Sequence, residues 1–201
     1  IAGGQESMTN SKEEIMLKDG LVDAYNNYHM GITAENVAEK FGISRKDQDK
    51  FAASSQLKTQ EAIKKGKFKE EIIEGDVTLD EHPRSQITEE SLSKLKTVFK
   101  ENGTVTAGNS SGVNDGAATV LLMKREEAEK RNLKPLAKIV SWATCGVEPS
   151  LMGLGPIPSI QDAIIKANWK LDEVDLFEIN EAFAAQSIAV IKELKIPEQK
   201  V

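Results

Sequence analysis

The chain has 201 residues, 39% hydrophobic and 29% charged, with a formal net charge of −6. That is the balance of an ordinary soluble folded protein, long enough for one substantial core or parts of two, and it argues against a dominant nucleic-acid surface, which would concentrate Lys and Arg. The single cysteine, Cys145, excludes a disulfide framework within the chain, and no run of 18 apolar residues predicts a membrane span.

Residues 1–8 read as the end of a strand. Gly3-Gly4 permits a tight turn or a close backbone approach, and the start without an initiator Met implies sequence upstream. Residues 12–18 predict a short helix stopped by Asp19-Gly20. The irregular stretch 24–31 leads to a cap at Thr33 and a helix over about 34–40. Ser44, with Asp47 three positions on, is an imperfect capping box opening a helix to about Lys65. Its stripe of Phe51, Ala52, Ser55, Thr59, Ala62 and Ile63 is narrow and mostly small, so a neighbour can pack close. Gly66 suits its stop. Residues 70–79 read as extended and edge-like, 80–84 as a proline loop, and Thr88 as the cap of a short helix to Leu95.

Beyond Asn102-Gly103 the character changes. Residues 104–106 predict a short strand, 107–116 a small-residue loop, 117–123 an apolar strand, 125–131 a charged helix and 135–142 a partly alternating strand. A Gly- and Pro-rich connection follows, then a helix from Ser159 to about Ala167. The apolar run of 174–179 stops at Asn180-Glu181, and an alanine-rich helical pattern continues to about Leu194. This last stretch reads as a buried strand turning directly into a buried helix. Strands alternating with helices predict an α/β core from about residue 104, with the mainly helical, polar residues 9–103 as an appended domain. In α/β sheets ligands collect at the carboxyl ends of strands, where Asn180 stands. The alternative for Asn180 is a helix cap. Two histidines and one cysteine without ligand spacing predict no metal site.

Asn180-Glu181-Ala182-Phe183-Ala184-Ala185 resembles the asparagine signature of the thiolases, the acetyl-CoA acetyltransferase type in particular. Residues 1–8 (Ile-Ala-Gly-Gly-Gln-Glu-Ser-Met), 29–36 (His-Met-Gly-Ile-Thr-Ala-Glu-Asn), 104–112 (Thr-Val-Thr-Ala-Gly-Asn-Ser-Ser-Gly) and 152–158 (Met-Gly-Leu-Gly-Pro-Ile-Pro) are similar to further thiolase segments, in the right order. The resemblance implies a layered α/β thiolase-like core, present in part, with an inserted loop domain. Residues 1–8 would end the N-terminal half, 9–103 form the loop domain, 104–131 complete that half, and 132–201 begin the C-terminal half.

The activity so implied is Claisen condensation of two acetyl-CoA to acetoacetyl-CoA and CoA, or the reverse thiolysis. Partners would be acetyl-CoA, acetoacetyl-CoA and coenzyme A, with no separate cofactor, no nucleic acid and no membrane. A homotetramer in the cytoplasm, or in mitochondria, acting in lipid metabolism, is the expectation. Both chemical steps build negative charge on a thioester oxygen, and fixed donors aimed there are worth roughly 10²–10³ in rate each. By the resemblance Asn180 holds a water that serves as such a donor. Ala107 and Ser111 lie along the pantetheine arm, Met30 and Met152 line the acyl cavity, and His29 sits near them without being the base. Phe99 and Phe183 wall the channel. Arg84 meets the nucleotide end of CoA, although the glycine expected two positions after it is absent. Ordinary packing, turn or surface roles are the alternatives for each.

Cys145 matches neither catalytic cysteine context and reads as a buried small hydrophobe. The family's nucleophilic cysteine would precede Ile1, and its Gly-His-Pro histidine and second cysteine would follow Val201. These residues alone are therefore expected to be inactive. Two stretches, after Met8 and near Glu74-Gly75, read as short against the family. The competing expectations are a 3-ketoacyl-CoA thiolase for longer chains, against which Met30 and Met152 imply a short pocket, and a non-catalytic CoA-ester-binding or assembly module.

Overall fold

The computed structural model describes residues 1–73 and 75–201. In chain order its regular elements are β1 (Ala2–Glu6), α1 (Glu13–Met16), α2 (Met30–Phe41), α3 (Arg45–Lys64), α4 (Glu89–Ser93), β2 (Gly116–Val120), α5 (Arg125–Lys130), α6 (Pro156–Ala167) and α7 (Ala184–Leu194). A π turn, Leu17–Leu21, extends α1, and short 3-10 turns occupy Pro149–Leu154, Leu171–Glu173 and Glu198–Lys200.

The helix starts follow local chemistry. Ser44 Oγ accepts from the Asp47 amide at 3.1 Å while Asp47 Oδ2 accepts from the Ser44 amide at 3.0 Å, so the capping box at α3 closes as read. Thr88 caps α4 by accepting from the Ser91 amide at 3.1 Å, though that helix ends at Ser93, short of Leu95. At α2 the cap differs from the expectation. His29, not Thr33, stands at the N-cap, its Nδ1 accepting from the Gly31 amide at 2.9 Å. Thr33 is buried inside the first turn and donates to the Met30 carbonyl at 2.6 Å. At α6 the start also comes earlier than Ser159, because Pro156 occupies the first turn, where its missing N–H costs nothing.

Helix α7 is the centre of the packing. Ala184, Ala185, Ile188, Ala189, Val190, Ile191 and Leu194 are all buried. Its alanines let α2 approach closely, placing Val37, Ala38 and Ile43 against Ala185, Ile188 and Ala189. Its other side meets α6 and the chain around Phe177 and Ile179, which pack on Val190, Ile191, Leu194 and Ile196.

The strand expectations fare less well. β1 pairs antiparallel with β2, Ala2 opposite Val120 and Glu6 opposite Gly116. Gly3 is required there, because a Cβ would strike the Ala118 carbonyl. The apolar run 117–123 therefore contributes a strand only as far as Val120. Residues 104–106 make a single bridge, Thr97 to Thr106. Residues 135–142 and 174–179 have no ladder partner among the described residues. The buried strand expected before Asn180 is thus an unpaired segment with one face packed. Phe177 and Ile179 reach the core, Leu176 is 78% exposed, and the Phe177 amide donates to the Lys200 carbonyl at 2.7 Å. Alternation supplies a buried face, but a ladder needs a neighbouring backbone.

After α3 the chain turns back through bonds from the Glu71 and Ile72 amides to the Phe68 carbonyl, and the described part of 70–79 contains no strand. The Glu74-Gly75 junction lies outside the described residues. Across Met8 to Ser11 the chain makes a hydrogen-bonded turn, the Ser11 amide donating to the Met8 carbonyl at 3.2 Å. No helix is long and apolar enough to cross a membrane among the described residues.

Candidate functional site

Three of the singled-out side chains meet at the start of α2. The His29 imidazole stacks on Phe99 at 4.5 Å between centroids, and Phe99 meets Phe183 edge-on at 6.2 Å. Phe183, Ala34 and Val105 form a buried cluster against which Phe99 and Met152 pack. Gly31 makes this possible, since a Cβ at that position would overlap the Phe99 ring. Met30 opens α2 one residue from His29 and is half-buried. Burial holds His29 below the usual imidazole range. A neutral ring fits its role, because Nδ1 must keep a lone pair to accept from Gly31.

The 107–112 loop lies against the chain that enters α7. The Ser111 amide donates to the Ala182 carbonyl at 3.0 Å, the Ala184 amide donates to the Asn109 carbonyl at 2.9 Å, and Ser110 bridges Phe183. Ser111 and Ala107 are themselves exposed. Between this loop, α3 and the 80–83 loop opens a pocket of about 330 Å³, lined among others by Gln56, His82, Ser111 and Glu181.

Asn180 lies two residues before Ala182. Its side chain is exposed, and no protein group bonds its amide among the described residues. It does not cap α7, whose N-cap is Phe183. Arg84 stays outside the aromatic cluster. Its backbone is fixed to α3 by a bond from its amide to Gln56 Oε1 at 3.1 Å and by one from Gln60 Nε2 to its carbonyl, and its side chain is exposed beside the pocket. Cys145 is half-buried rather than buried. Residues 141–147 alternate between half-buried and exposed, and the Cys145 thiol donates to Asp162 of α6 at 3.4 Å.

The sequence reading missed the buried polar groups behind the loop. Glu35 accepts from the Thr104 and Val105 amides, each at 2.8 Å, and from the Thr104 hydroxyl at 2.8 Å, which in turn accepts from Gln48 Nε2 at 2.9 Å. Asp49 and Asn109 are buried beside them. Their signal was present: Glu35 and Asp49 share helix faces with buried small residues, and buried charge needs a partner. Glu181 was read only as part of a motif, yet burial pushes its carboxyl above the usual range, opposed by the Ser55 hydroxyl and the Lys58 ammonium. Among the described residues no cluster of His, Cys, Asp and Glu could hold a metal ion.

The chain is 50% identical to cytosolic acetyl-CoA acetyltransferase of Mus musculus, and 48% to acetyl-CoA acetyltransferase of Shinella zoogloeoides. The first match covers 100% of this chain and 57% of the relative, the second 96% and 56%. This chain therefore spans a little over half the length of the curated relatives it matches. The mouse alignment runs over 228 positions against the 201 residues here. Among solved structures, human mitochondrial 3-ketoacyl-CoA thiolase in complex with CoA superposes with a TM-score of 0.93 at 40% identity, covering 99% of this chain and 56% of that one. The Bacillus anthracis acetyl-CoA acetyltransferase superposes with a TM-score of 0.85 at 44% identity, covering 90% and 48%. The thiolase N-terminal domain matches residues 1–126 and the thiolase C-terminal domain residues 133–201. With both domains matched in order along nearly all of its length, the chain belongs to the thiolase family.

Proposed function

We propose that these residues form part of an acetyl-CoA C-acetyltransferase, which condenses two acetyl-CoA to acetoacetyl-CoA and CoA or runs the reverse thiolysis. The observation that carries the reading is the junction of the His29–Phe99–Phe183 cluster with the 107–112 loop. An apolar wall and a loop of small residues, joined backbone to backbone, suit a thin chain that ends in an acyl group. The names of the mouse and Shinella zoogloeoides relatives support the same chemistry.

In this reading the acyl group packs near Met30, Met152 and Phe99, and the pantetheine arm passes Ala107 and Ser111. Arg84, exposed beside the pocket, would meet a CoA phosphate through its planar fork. Asn180 would hold a water facing the thioester oxygen. An exposed amide that no protein group bonds among the described residues keeps its donors and acceptor for that water. As charge builds on the oxygen, a fixed neutral donor stabilises it without competing for the proton in transit. The nucleophile and the acid–base groups are not assigned to any residue of this chain. A homotetrameric enzyme of the cytoplasm, serving lipid metabolism, is part of the proposal, and the cytosolic mouse relative supports the compartment.

A 3-ketoacyl-CoA thiolase for longer chains is the second reading, favoured by the 0.93 superposition on the human mitochondrial enzyme. Thiolysis rates of the full-length protein against 3-ketoacyl-CoA esters of increasing chain length separate the two. The proposal expects acetoacetyl-CoA to be cleaved fastest. Faster cleavage of long esters would transfer the assignment to the second reading, and no cleavage of any ester would overturn both.

A further inference from the structure

The loop that carries Ser111 is held from behind by a buried chain of side chains. Arg45 and Asp49 lie one turn apart on α3, Arg45 Nε donating to Asp49 Oδ2 at 2.7 Å. Asp49 is 1% exposed, and its other oxygen accepts from Asn109 Nδ2 at 3.1 Å. Asn109, 2% exposed, uses the rest of its amide inside its own loop. Its Nδ2 also donates to the Thr104 carbonyl at 3.1 Å, and its Oδ1 accepts from the Thr106 amide at 2.8 Å. The Asn109 carbonyl then accepts from Ala184 at the start of α7. At the far end Arg45 Nη2 donates to the Leu92 and Leu95 carbonyls at 2.8 and 2.9 Å, tying in the close of α4.

Every bond in this chain is oriented. Asp49 can only accept, and both of its neighbours only donate to it. The charge is buried where an unpaired group is costly, so the arrangement has one satisfied state. Its outlet is the backbone at Asn109, two residues from Ser111 and directly bonded to the entry of α7. We propose that Asp49 is a positioning residue that acts through Asn109 to set the Ser111 loop against the Ala182–Ala184 backbone, and so fixes the pantetheine path. The proposal rests on the CoA-ester reading for its ligand, but the loop geometry it asserts does not.

The test is Asp49→Asn in the full-length protein, an isosteric change that sets an NH2 group against a donor on one side or the other. Two quantities are read: CoA affinity by calorimetry, and hydrogen exchange at the Ser111 and Ala184 amides. The expected result is a CoA affinity about tenfold weaker, the scale of one lost hydrogen bond to a charged group. Ser111→Ala should weaken binding in the wild-type background and add little in the Asp49→Asn background, because a displaced loop no longer holds the Ser111 hydroxyl at the pantetheine arm. Protection at Ser111 and Ala184 should fall while that of α2 is retained. Additive losses of affinity, unchanged protection at the two amides, or loss spread evenly over the protein would each overturn the proposal. If Asp49→Asn does not fold, Asn109→Ser cuts the same link from the loop side, keeping a short side chain that accepts from Thr106, and is read by the same criteria. If wild type binds no CoA, the functional reading falls and the exchange result alone decides the positioning role.

Discussion

Glu181 illustrates how a residue's surroundings override its place in a motif. Its carboxyl lies at the pocket between α3 and the Ser111 loop, and burial raises its pKa against the pull of Ser55 and Lys58. His82 and Asp80 line the same pocket from the facing loop. A carboxyl raised by burial binds its proton more tightly folded than unfolded. Its contribution to stability is therefore fully present below the ordinary carboxylate range, about 4.3 for Glu, and is lost as pH rises through the folded value. Glu181→Gln should remove this slope, leaving the variant more stable than wild type at neutral pH and no more stable at pH 4. Urea unfolding at several pH values checks it. An unchanged pH profile would mean that the carboxyl is not buried as described.

At the scale of elements, the helices were legible because their signals are local. Ser44 and Asp47, Thr88, and the alanine run of α7 each specify a start or a face within four residues. The misplaced start of α2 has a physical cause: His29 supplies an acceptor one turn before Thr33, a role that composition does not flag. Strands were less legible because a ladder joins distant sequence. β1 finds β2 across more than a hundred residues, while 135–142 and 174–179 have alternation without a ladder partner among the described residues. The capping box of α3 permits a direct check. Ser44→Ala should destabilise the fold by about 1 kcal/mol, the usual value of a lost N-cap, seen as a lower urea midpoint at unchanged slope. Since α3 carries Arg45, Asp49, Ser55 and Gln56, fraying at its start would also loosen the back of the pocket.

At the scale of the whole molecule, the apolar surface divides sharply. α2, α3 and α7 enclose a core, whereas Leu136 is fully exposed, as are much of Trp142 and Leu176. These lie on the segments 135–142 and 174–179, which find no ladder partner among the described residues. The chain spans 57% of the mouse relative that it matches. The site shows the same division. The aromatic cluster and the Ser111 loop were readable as motifs and are brought together, while Asn180 stands exposed at the end of a segment expected to be a buried strand. The Arg45–Asp49–Asn109 chain was not readable, because nothing in sequence links residue 49 to residue 109. The account comes down to whether the Asn180 amide holds a water against a reacting thioester oxygen. Steady-state thiolysis of acetoacetyl-CoA by the full-length Asn180→Ala enzyme measures this most directly. The account predicts a fall in kcat of roughly 10²–10³ with KM changed only a few-fold, and an unchanged kcat would contradict it.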